Sequence, residues 1–388
     1  MSEKNMETTT TTAAASAKGA ADTAAAQGEI LSEVRGRVGF ITLNRPRALN
    51  ALSLGMVREL MRVLLAWRQN PDVLAVAIRG SNKEGSFGAF CAGGDIRFLH
   101  QAGSQGHPQL EDFFTEEYAL NHLIHHYGKP YIAFMDGIVM GGGMGISQGA
   151  SLRIVTERTK MAMPETAIGL FPDVGGGYFL SRCPGRVGEW LALTGQTIGA
   201  EEAVAARLAD GRLAAADQPA VWDALGSQPF ADGAAVQQWV ASKLIAEGLE
   251  RISAGGQIDQ YFSLPDVPAI VAALEAAAGG DDWCRTTAAT LRQRSPLMLF
   301  VVLEQIRRAR AMGLADDLRM ERDMVRHCFY LRPGLSETLE GIRALAVDKD
   351  HAPRWNPARI EDVAPEQALA FFDSPWPAHA HPLAALAD

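Results

Sequence analysis

The sequence has few cysteines, no long apolar run and no excess of basic residues. Its four cysteines, Cys91, Cys183, Cys284 and Cys328, are widely separated and form no CxxC pair, which argues against a disulfide framework or a zinc cluster. The longest strongly apolar run, residues 297–303, is too short to span a bilayer. The formal net charge of −9 does not favour binding to nucleic acid or to an anionic membrane. We therefore predict a cytoplasmic protein with no nucleic-acid or membrane partner.

The common nucleotide- and metal-binding motifs are absent as well. No stretch fits G-x-G-x-x-G or G-x-x-x-x-G-K-[ST], the glycine patterns that bind the phosphates of dinucleotides and nucleoside triphosphates. The nine histidines include no HExxH and no set with the spacing of metal ligands. We predict no metal site, and a substrate with several phosphates would need a local basic patch.

Composition and periodicity divide the chain into three parts. Residues 1–28 are rich in alanine and threonine and lack both the apolar centre of a secretory signal and the arginines of a transit peptide, so we predict a disordered tail. In residues 29–230, strand patterns alternate with helix patterns, which indicates a mixed or parallel sheet covered by helices. In residues 231–388 the strands stop and helices follow. The predicted fold class is α/β with a helical C-terminal region.

The predicted core begins with a hairpin of residues 30–34 and 38–43 that turns at Gly36. Ser53 then caps an amphipathic helix. The other predicted segments are strands at 73–78, 131–135 and 152–155, and C-terminal helices at 234–247, 268–278, 296–312 and 315–328.

Three glycine-containing stretches carry the candidate chemistry, at residues 90–95, 140–145 and 163–173. The first two follow predicted strands and precede helices, where glycine lets the backbone approach a ligand and the first amides of a helix point outward. Two such amides that converge on one point would form an oxyanion hole. Each of these two stretches alone also fits an ordinary tight turn.

Three carboxylates lie in apolar surroundings. Glu165 and Asp173 are eight residues apart in the third stretch, where burial would raise the pKa of a catalytic base or nucleophile. Two solvated loop acids are the alternative. Glu117 falls on the apolar stripe of a helix predicted over residues 110–126, a costly position unless the charge is paired or used. A salt bridge inside the core is the alternative for Glu117.

Two candidate nucleophiles are interpreted as structural. Ser147 is the serine of a G-x-S-x-G motif, but the nearest predicted strand ends about ten residues earlier, so this serine would lie inside a helix rather than on a sharp turn. Cys91 has no histidine near it in the sequence and is interpreted as a small buried residue.

Taken together, these segments resemble the crotonase (enoyl-CoA hydratase/isomerase) superfamily. The similarity begins at residues 43–52, includes all three stretches and covers roughly residues 29–375. The continuation at residues 174–180 and the segment 347–350 are most similar to the 3-hydroxyisobutyryl-CoA hydrolases. The resemblance implies a spiral of ββα units, hydrolysis of a short-chain β-hydroxyacyl-CoA thioester in valine catabolism, and no cofactor, because CoA is part of the substrate. An acyl-CoA is thus the expected partner, and a homo-oligomer is left open.

The resemblance also implies roles for particular residues. It places catalysis at Glu165 and Asp173, and the oxyanion-hole amides at Gly94 and Gly142. It implies further contacts: the substrate with Glu117, Gly142, Glu165 and Asp173, and CoA with Arg47, Ala48, Leu49 and Ala92. Arg47 would supply the local positive charge for the phosphates of CoA.

One departure separates the hydrolases from the hydratases. Hydratases of this superfamily use two glutamates, one of them three residues after the oxyanion glycine, and Gly145 occupies that position here. Glu165 matches the other glutamate, and Asp173 stands where hydratases usually have a small residue. An enoyl-CoA hydratase or isomerase is the alternative enzyme, and an interaction or RNA-associated protein that kept only the fold is the non-enzymatic alternative.

Overall fold

A computed structural model describes residues 28–83, 87–245, 252 and 254–388 of the chain. Apart from Gly28, the predicted tail lies outside the described residues. The strands are β1 (Ile30–Arg35), β2 (Val38–Leu43), β3 (Ala75–Gly80), β4 (Tyr131–Met135), β5 (Ile138–Met140), β6 (Leu152–Val155), β7 (Lys160–Ala162) and β8 (Gly211–Arg212). The α-helices are α1 (Leu54–Gln69), α2 (Ile96–Gln105), α3 (Gln109–His125), α4 (Gly142–Gln148), α5 (Gly176–Ser181), α6 (Val187–Thr194), α7 (Ala200–Ala205), α8 (Gln218–Leu225), α9 (Gly233–Ala241), α10 (Gly255–Phe262), α11 (Val267–Ala277), α12 (Asp282–Gln293), α13 (Pro296–Ala309), α14 (Leu314–Phe329), α15 (Glu337–Ile342) and α16 (Pro365–Leu369).

A six-stranded sheet in the order β1-β2-β3-β4-β6-β8 forms the centre of the fold. β1 and β2 make the predicted antiparallel hairpin, with Gly36 at a φ of +57° in the turn, and every later neighbour is parallel. The register pairs Val38 with Ala75 and Val76 with Tyr131. β2 is buried along its whole length because helices cover both faces of the sheet, as a largely parallel sheet requires.

Short parallel pairings between segments that follow the strands of the large sheet form a second layer. β5 pairs with β7, Cys91 bridges to Val139, and Leu52 bridges to Gly94. Each passage of the chain thus adds a strand to the large sheet and a shorter segment to the second layer before a helix begins. The result is the expected α/β spiral of ββα units. The sequence did not predict β5 and β7, because three residues are too few to show an alternating pattern.

The helical C-terminal part shares one hydrophobic core with the spiral. The larger buried cluster runs from Ile30 to Leu383, and α13 and α14 contribute many of its side chains. A smaller cluster on the other face of the large sheet contains Trp222, which packs edge-on against Phe40 and Phe134. The boundary predicted at residue 230 falls between α8 and α9. No helix within the described residues is both long and apolar enough to cross a bilayer.

Two predicted helices differ from the observed ones at their C-terminal ends. The helix predicted over residues 234–247 ends at Ala241, and residues 246–247 lie outside the described part of the chain. The helix predicted to reach residue 312 ends at Ala309, and Ser295 caps its start. Leu244 and Met312, which lie beyond the observed ends, are partly buried against the core.

A buried acid on α14 makes stability depend on pH. Asp317 is fully buried, and burial raises its pKa to about 7, while the hydrogen bond from the Tyr178 amide acts in the opposite direction. A carboxyl whose pKa is higher in the folded than in the unfolded state binds more protons when folded. Its stabilising contribution is therefore complete below pH 4 and is lost as the pH rises towards 7 and above.

Replacing Asp317 by asparagine is expected to remove this dependence. The asparagine amide does not titrate, and its oxygen can still accept a hydrogen bond from the Tyr178 amide. Relative to the unmodified protein, the variant should gain several degrees in Tm between pH 5 and pH 8, measured by thermal unfolding. Asp316→Asn, which removes an exposed neighbouring acid, is the control. A Tm difference that stays constant with pH for Asp317→Asn would contradict the expectation.

Candidate active site

The glycine stretches and the three buried carboxylates meet at one cavity. Its volume is about 260 Å³, and apolar side chains from α2, α3 and the π-helical segment Arg343–Val347 form much of its wall. The predicted site residues that line it are Ala92, Gly94, Glu117, Gly142, Glu165 and Asp173. Residues from four separate regions of the sequence therefore converge at one place.

The amides of Gly94 and Gly142 lie on adjacent loops. Gly142 is the first residue of α4, and a Cβ added to it would lie 3.4 Å from the Gly94 nitrogen. The loops are tied together by the hydrogen bonds of the second layer, including Met140 N to Cys91 O at 3.0 Å. Within the described part of the chain, neither amide donates to a main-chain or side-chain acceptor. Both donors therefore remain available to a ligand.

Glu165 begins the 3₁₀ segment Glu165–Ile168 and is 5% exposed. Its Oε2 has no hydrogen-bond partner among the described residues, and its Oε1 lies 3.0 Å from the point where a Cβ on Gly141 would stand. Burial, and then the charge of Asp173, raise the pKa of Glu165 well above its usual value. A buried carboxyl with one unpaired oxygen, in the same cavity as two free amides, can act as a base or as a nucleophile.

Asp173 is held by a tyrosine that the sequence did not single out. The Tyr118 hydroxyl donates to Asp173 Oδ2 at 2.9 Å, and both side chains are buried. Burial raises the pKa of Asp173 to about 6, and the hydrogen bond from Tyr118 acts in the opposite direction. A buried tyrosine normally requires a partner for its hydroxyl, so its position on the apolar face of α3 was the available signal.

Glu117 is buried at the same cavity, as its place on the apolar stripe predicted. Its Oε1 has no partner among the described residues and lies 2.5 Å from the position of a Cβ on Gly142. Burial and the charge of Asp173 raise its pKa well above the usual value. The core salt bridge considered as an alternative is not formed in the described structure. Glu117, Glu165 and Asp173 line one cavity, and like charges at close range oppose ionisation of all three carboxyls at once. At least one of them is therefore expected to stay protonated.

Three of the residues assigned to CoA, Arg47, Ala48 and Leu49, lie on the turn after β2. Arg47 is exposed, Ala48 is partly buried and Leu49 is 46% exposed. The Leu49 carbonyl accepts a hydrogen bond from the Ala92 amide at 3.0 Å, which joins this turn to the first glycine stretch. Of the four residues assigned to CoA, Ala92 lines the cavity and Leu49 is joined to it, while the charged Arg47 is exposed to solvent.

Ser147 and Cys91 occupy structural positions. Ser147 is fully buried inside α4, and its hydroxyl donates to the Gly143 carbonyl at 2.8 Å. The strand β5, which was not predicted, ends at Met140 and so lies closer to Ser147 than the predicted strands. Even so, α4 begins five residues before Ser147, which therefore does not lie on a sharp turn after a strand. Cys91 is fully buried, and burial raises the pKa of its thiol to about 12. Neither geometry presents a nucleophile to the cavity.

Away from the cavity, one group of described side chains brings possible metal ligands together. Ligand atoms of His122, His126 and Asp388 lie within 4.8 Å of one another. Two of the three side chains are exposed, and the His122 Nε2 is already within 3.0 Å of the Ala387 carbonyl. The prediction of no metal site stays a prediction.

The chain is similar to enzymes of one family. A model of the enoyl-CoA hydratase/isomerase family matches residues 38–372. A mitochondrial 3-hydroxyisobutyryl-CoA hydrolase from Xenopus tropicalis is 37% identical over 364 residues, which cover 89% of each chain. A probable 3-hydroxyisobutyryl-CoA hydrolase 3 from Arabidopsis thaliana is 38% identical over 356 residues, 90% of this chain and 92% of the relative.

Two solved structures share the fold over nearly their whole length. A carnitinyl-CoA dehydratase from Mycobacterium thermoresistibile superposes with a TM-score of 0.80 at 35% identity, covering 89% of this chain and 97% of the other. An enoyl-CoA hydratase from Rhodobacter sphaeroides 2.4.1 superposes with a TM-score of 0.79 at 36% identity, covering 90% and 98%.

Proposed function

The chain belongs to the enoyl-CoA hydratase/isomerase family, and we propose that it hydrolyses 3-hydroxyisobutyryl-CoA to 3-hydroxyisobutyrate and CoA. Curated relatives named for this reaction, at 36–38% identity over most of the chain, support an acyl-CoA thioester hydrolase. The two solved structures carry the names of a dehydratase and a hydratase, so the residues in the cavity have to distinguish the reactions.

The observation that carries the proposal is the lack of room for a side chain at Gly145. A Cβ at this position would stand 2.6 Å from the Val174 Cβ and 2.9 Å from its Cγ2. A glutamate placed here, as in the hydratases, would therefore collide with the turn that carries Asp173. The cavity holds Asp173 in place of the second glutamate, which favours hydrolysis over hydration.

In the proposed mechanism, the thioester carbonyl oxygen accepts hydrogen bonds from the Gly94 and Gly142 amides, which stabilise the negative charge that develops on it. Glu165 either attacks the carbonyl carbon or removes a proton from an attacking water. Attack by Glu165 forms a mixed anhydride and releases the CoA thiolate, and water then cleaves the anhydride. Asp173 holds the β-hydroxyl or passes a proton to the leaving thiolate, and Glu117 orients the acyl group or the water.

Binding of the CoA moiety is assigned to the edge of the cavity. Arg47 would pair with phosphate, and Ala48, Leu49 and Ala92 would lie along the nucleotide and the pantetheine arm. An exposed arginine suits this purpose, because it offers a bidentate donor without the cost of burying its charge.

One assay separates this function from its nearest alternative. The protein is supplied with 3-hydroxyisobutyryl-CoA while free thiol is measured, and with crotonyl-CoA while enoyl absorbance is measured. Thiol release with the first substrate is the expected result. Loss of enoyl absorbance without thiol release would identify a hydratase, which the names of the two solved structures favour. Absence of both activities, together with no thermal shift on adding CoA, would favour a non-enzymatic protein.

Replacing Asp173 by asparagine tests recognition of the β-hydroxyl. We expect kcat/KM to fall about tenfold more for 3-hydroxyisobutyryl-CoA than for isobutyryl-CoA, because the hydroxyl loses its charged acceptor. Thiol release from both substrates is the measurement, and Asp316→Asn is the control for removal of an acid elsewhere. Equal losses on the two substrates would exclude hydroxyl recognition and assign Asp173 to proton transfer.

A place in valine degradation and a cytoplasmic location are part of the same proposal. The four cysteines are free and buried, which suits a reducing compartment. The Xenopus relative is described as mitochondrial, another compartment in which free thiols persist. Fractionation of cells that express the protein with an epitope tag would test the location.

A further inference from the structure

The turn that carries Asp173 is bound from behind by a buried acid on α14. Glu321 is fully buried, and its carboxylate accepts hydrogen bonds from the Gly175 amide at 2.7 Å and the Gly177 amide at 2.9 Å. These amides follow Asp173 by two and four residues. Glu321 does not line the cavity, so its carboxylate acts on the main chain of the turn and not on a ligand.

Two further buried side chains hold the same turn. Gln305 of α13 donates from Nε2 to the Pro172 carbonyl at 2.7 Å, immediately before Asp173, and to Glu321 at 3.2 Å. Asp317 accepts a hydrogen bond from the Tyr178 amide at 2.9 Å. Helices α13 and α14 thus contact the main chain on both sides of Asp173, through side chains that are fully buried.

The turn needs such support because its backbone is strained. Val174 has a φ of 58°, a conformation that a β-branched residue rarely adopts, and Gly175 follows with a φ of 86°. Residues in such conformations persist only where the surroundings hold them. A carboxylate has two oxygens and can accept from two amides at once, which is the arrangement that Glu321 shows.

We propose that Glu321 is a positioning residue for Asp173. By holding the Gly175 and Gly177 amides, it fixes the strained turn and so the direction of the Asp173 carboxylate, whose Oδ2 is held separately by Tyr118. The inference rests on the proposed function for the role of Asp173 in the reaction. In this proposal, the helical C-terminal part affects catalysis through the position of Asp173, and Glu321 itself does not contact the substrate.

A double-mutant cycle tests the proposal in the full-length protein. Glu321→Gln keeps the size of the side chain but leaves one oxygen to accept, and its NH₂ group faces the second amide. We expect Glu321→Gln to lower kcat/KM about tenfold when Asp173 is present, and less than about twofold in the Asp173→Asn background, because coupled residues give non-additive losses. A role in stability alone would produce the same loss in both backgrounds, and that result would overturn the proposal.

Two further variants complete the experiment. Asp316→Asn, an exposed acid on the same helix, is the matched control and should leave kcat/KM unchanged in both backgrounds. Gln305→Met removes the donor to the Pro172 carbonyl without removing a charge, and it should show the same non-additivity with a smaller loss. If Glu321→Gln does not fold, the Gln305→Met cycle decides, and additive losses there would equally overturn the proposal.

Failure of the proposed function would be visible separately. The cycle is measured on the acyl-CoA that the unmodified protein converts fastest in the thiol-release and enoyl-absorbance assays. Turnover of crotonyl-CoA in place of 3-hydroxyisobutyryl-CoA would refute the hydrolase assignment. The non-additivity of Glu321 and Asp173 could still be measured with crotonyl-CoA, so the positioning role would succeed or fail by itself.

Discussion

Glu165→Gln is expected to lower kcat about 10²–10⁴-fold, the loss typical of a missing acid-base group. Glutamine has the shape of the glutamate that it replaces, and the Glu165 Oε2 has no hydrogen-bond partner to lose among the described residues. The substitution therefore removes the base or nucleophile while the cavity keeps its form. Thiol release from 3-hydroxyisobutyryl-CoA under saturating substrate is the measurement, with thermal unfolding to verify the fold.

Ser147→Ala is the matched control for this variant. It removes a hydroxyl whose hydrogen bond goes to the Gly143 carbonyl of its own helix, so turnover should change little. The opposite pattern, with near-normal turnover for Glu165→Gln and none for Ser147→Ala, would replace the proposed mechanism by that of a serine hydrolase.

Gly142→Ala is expected to cost on the order of 10²–10³-fold in kcat, comparable with the loss of an oxyanion-hole donor. The added Cβ would come within 2.5 Å of Glu117 Oε1 and 3.2 Å of Leu52 Cδ1. Both side chains are buried, so relief requires α4 or Glu117 to move. A shift of α4 would displace the Gly142 amide, and a shift of Glu117 would displace the carboxyl proposed to orient the acyl group or the water.

The control for this variant is Gly199→Ala at the start of α7, where an added Cβ has no neighbour within 4 Å. It should retain the activity of the unmodified protein in the thiol-release assay. If Gly142→Ala proved equally active while remaining folded, the expected loss would be contradicted, and the close packing around Gly142 would not be needed for turnover.

The longer elements of the spiral were predictable because their side chains alternate or recur over enough residues. β4 and β6 have the predicted bounds, and the strand predicted at 73–78 is displaced by two residues, to Ala75–Gly80. β5 and β7 were missed because their pairing is set by tertiary packing and not by a local pattern. These two strands matter for the site, since β5 leads directly into Gly142.

The candidate site was predictable in part for a similar reason. Glu117 could be found because a charge on an apolar helical stripe is anomalous, and the same reasoning applies to Asp317 and Glu321 on α14. Asp317 and Glu321 were missed because α14 contains many other charged residues, so its sequence shows no clear apolar stripe on which a charge would be anomalous. Val174 could not be predicted, since its importance depends on the close approach of Gly145, 29 residues earlier in the chain.

The glycine stretches at residues 90–95 and 140–145 contact each other directly through main-chain atoms. A Cβ on Gly143 would lie 2.4 Å from the Cys91 carbonyl oxygen, so no side chain can separate them. The spacing of the Gly94 and Gly142 amides is consequently set apart from other residues that line the cavity, such as Ile168 and Leu345. In the proposed mechanism, substitution of Ile168 or Leu345 would therefore change the size of acyl group accepted while the two donors to the carbonyl keep their places, so these positions suit the engineering of new thioester specificities.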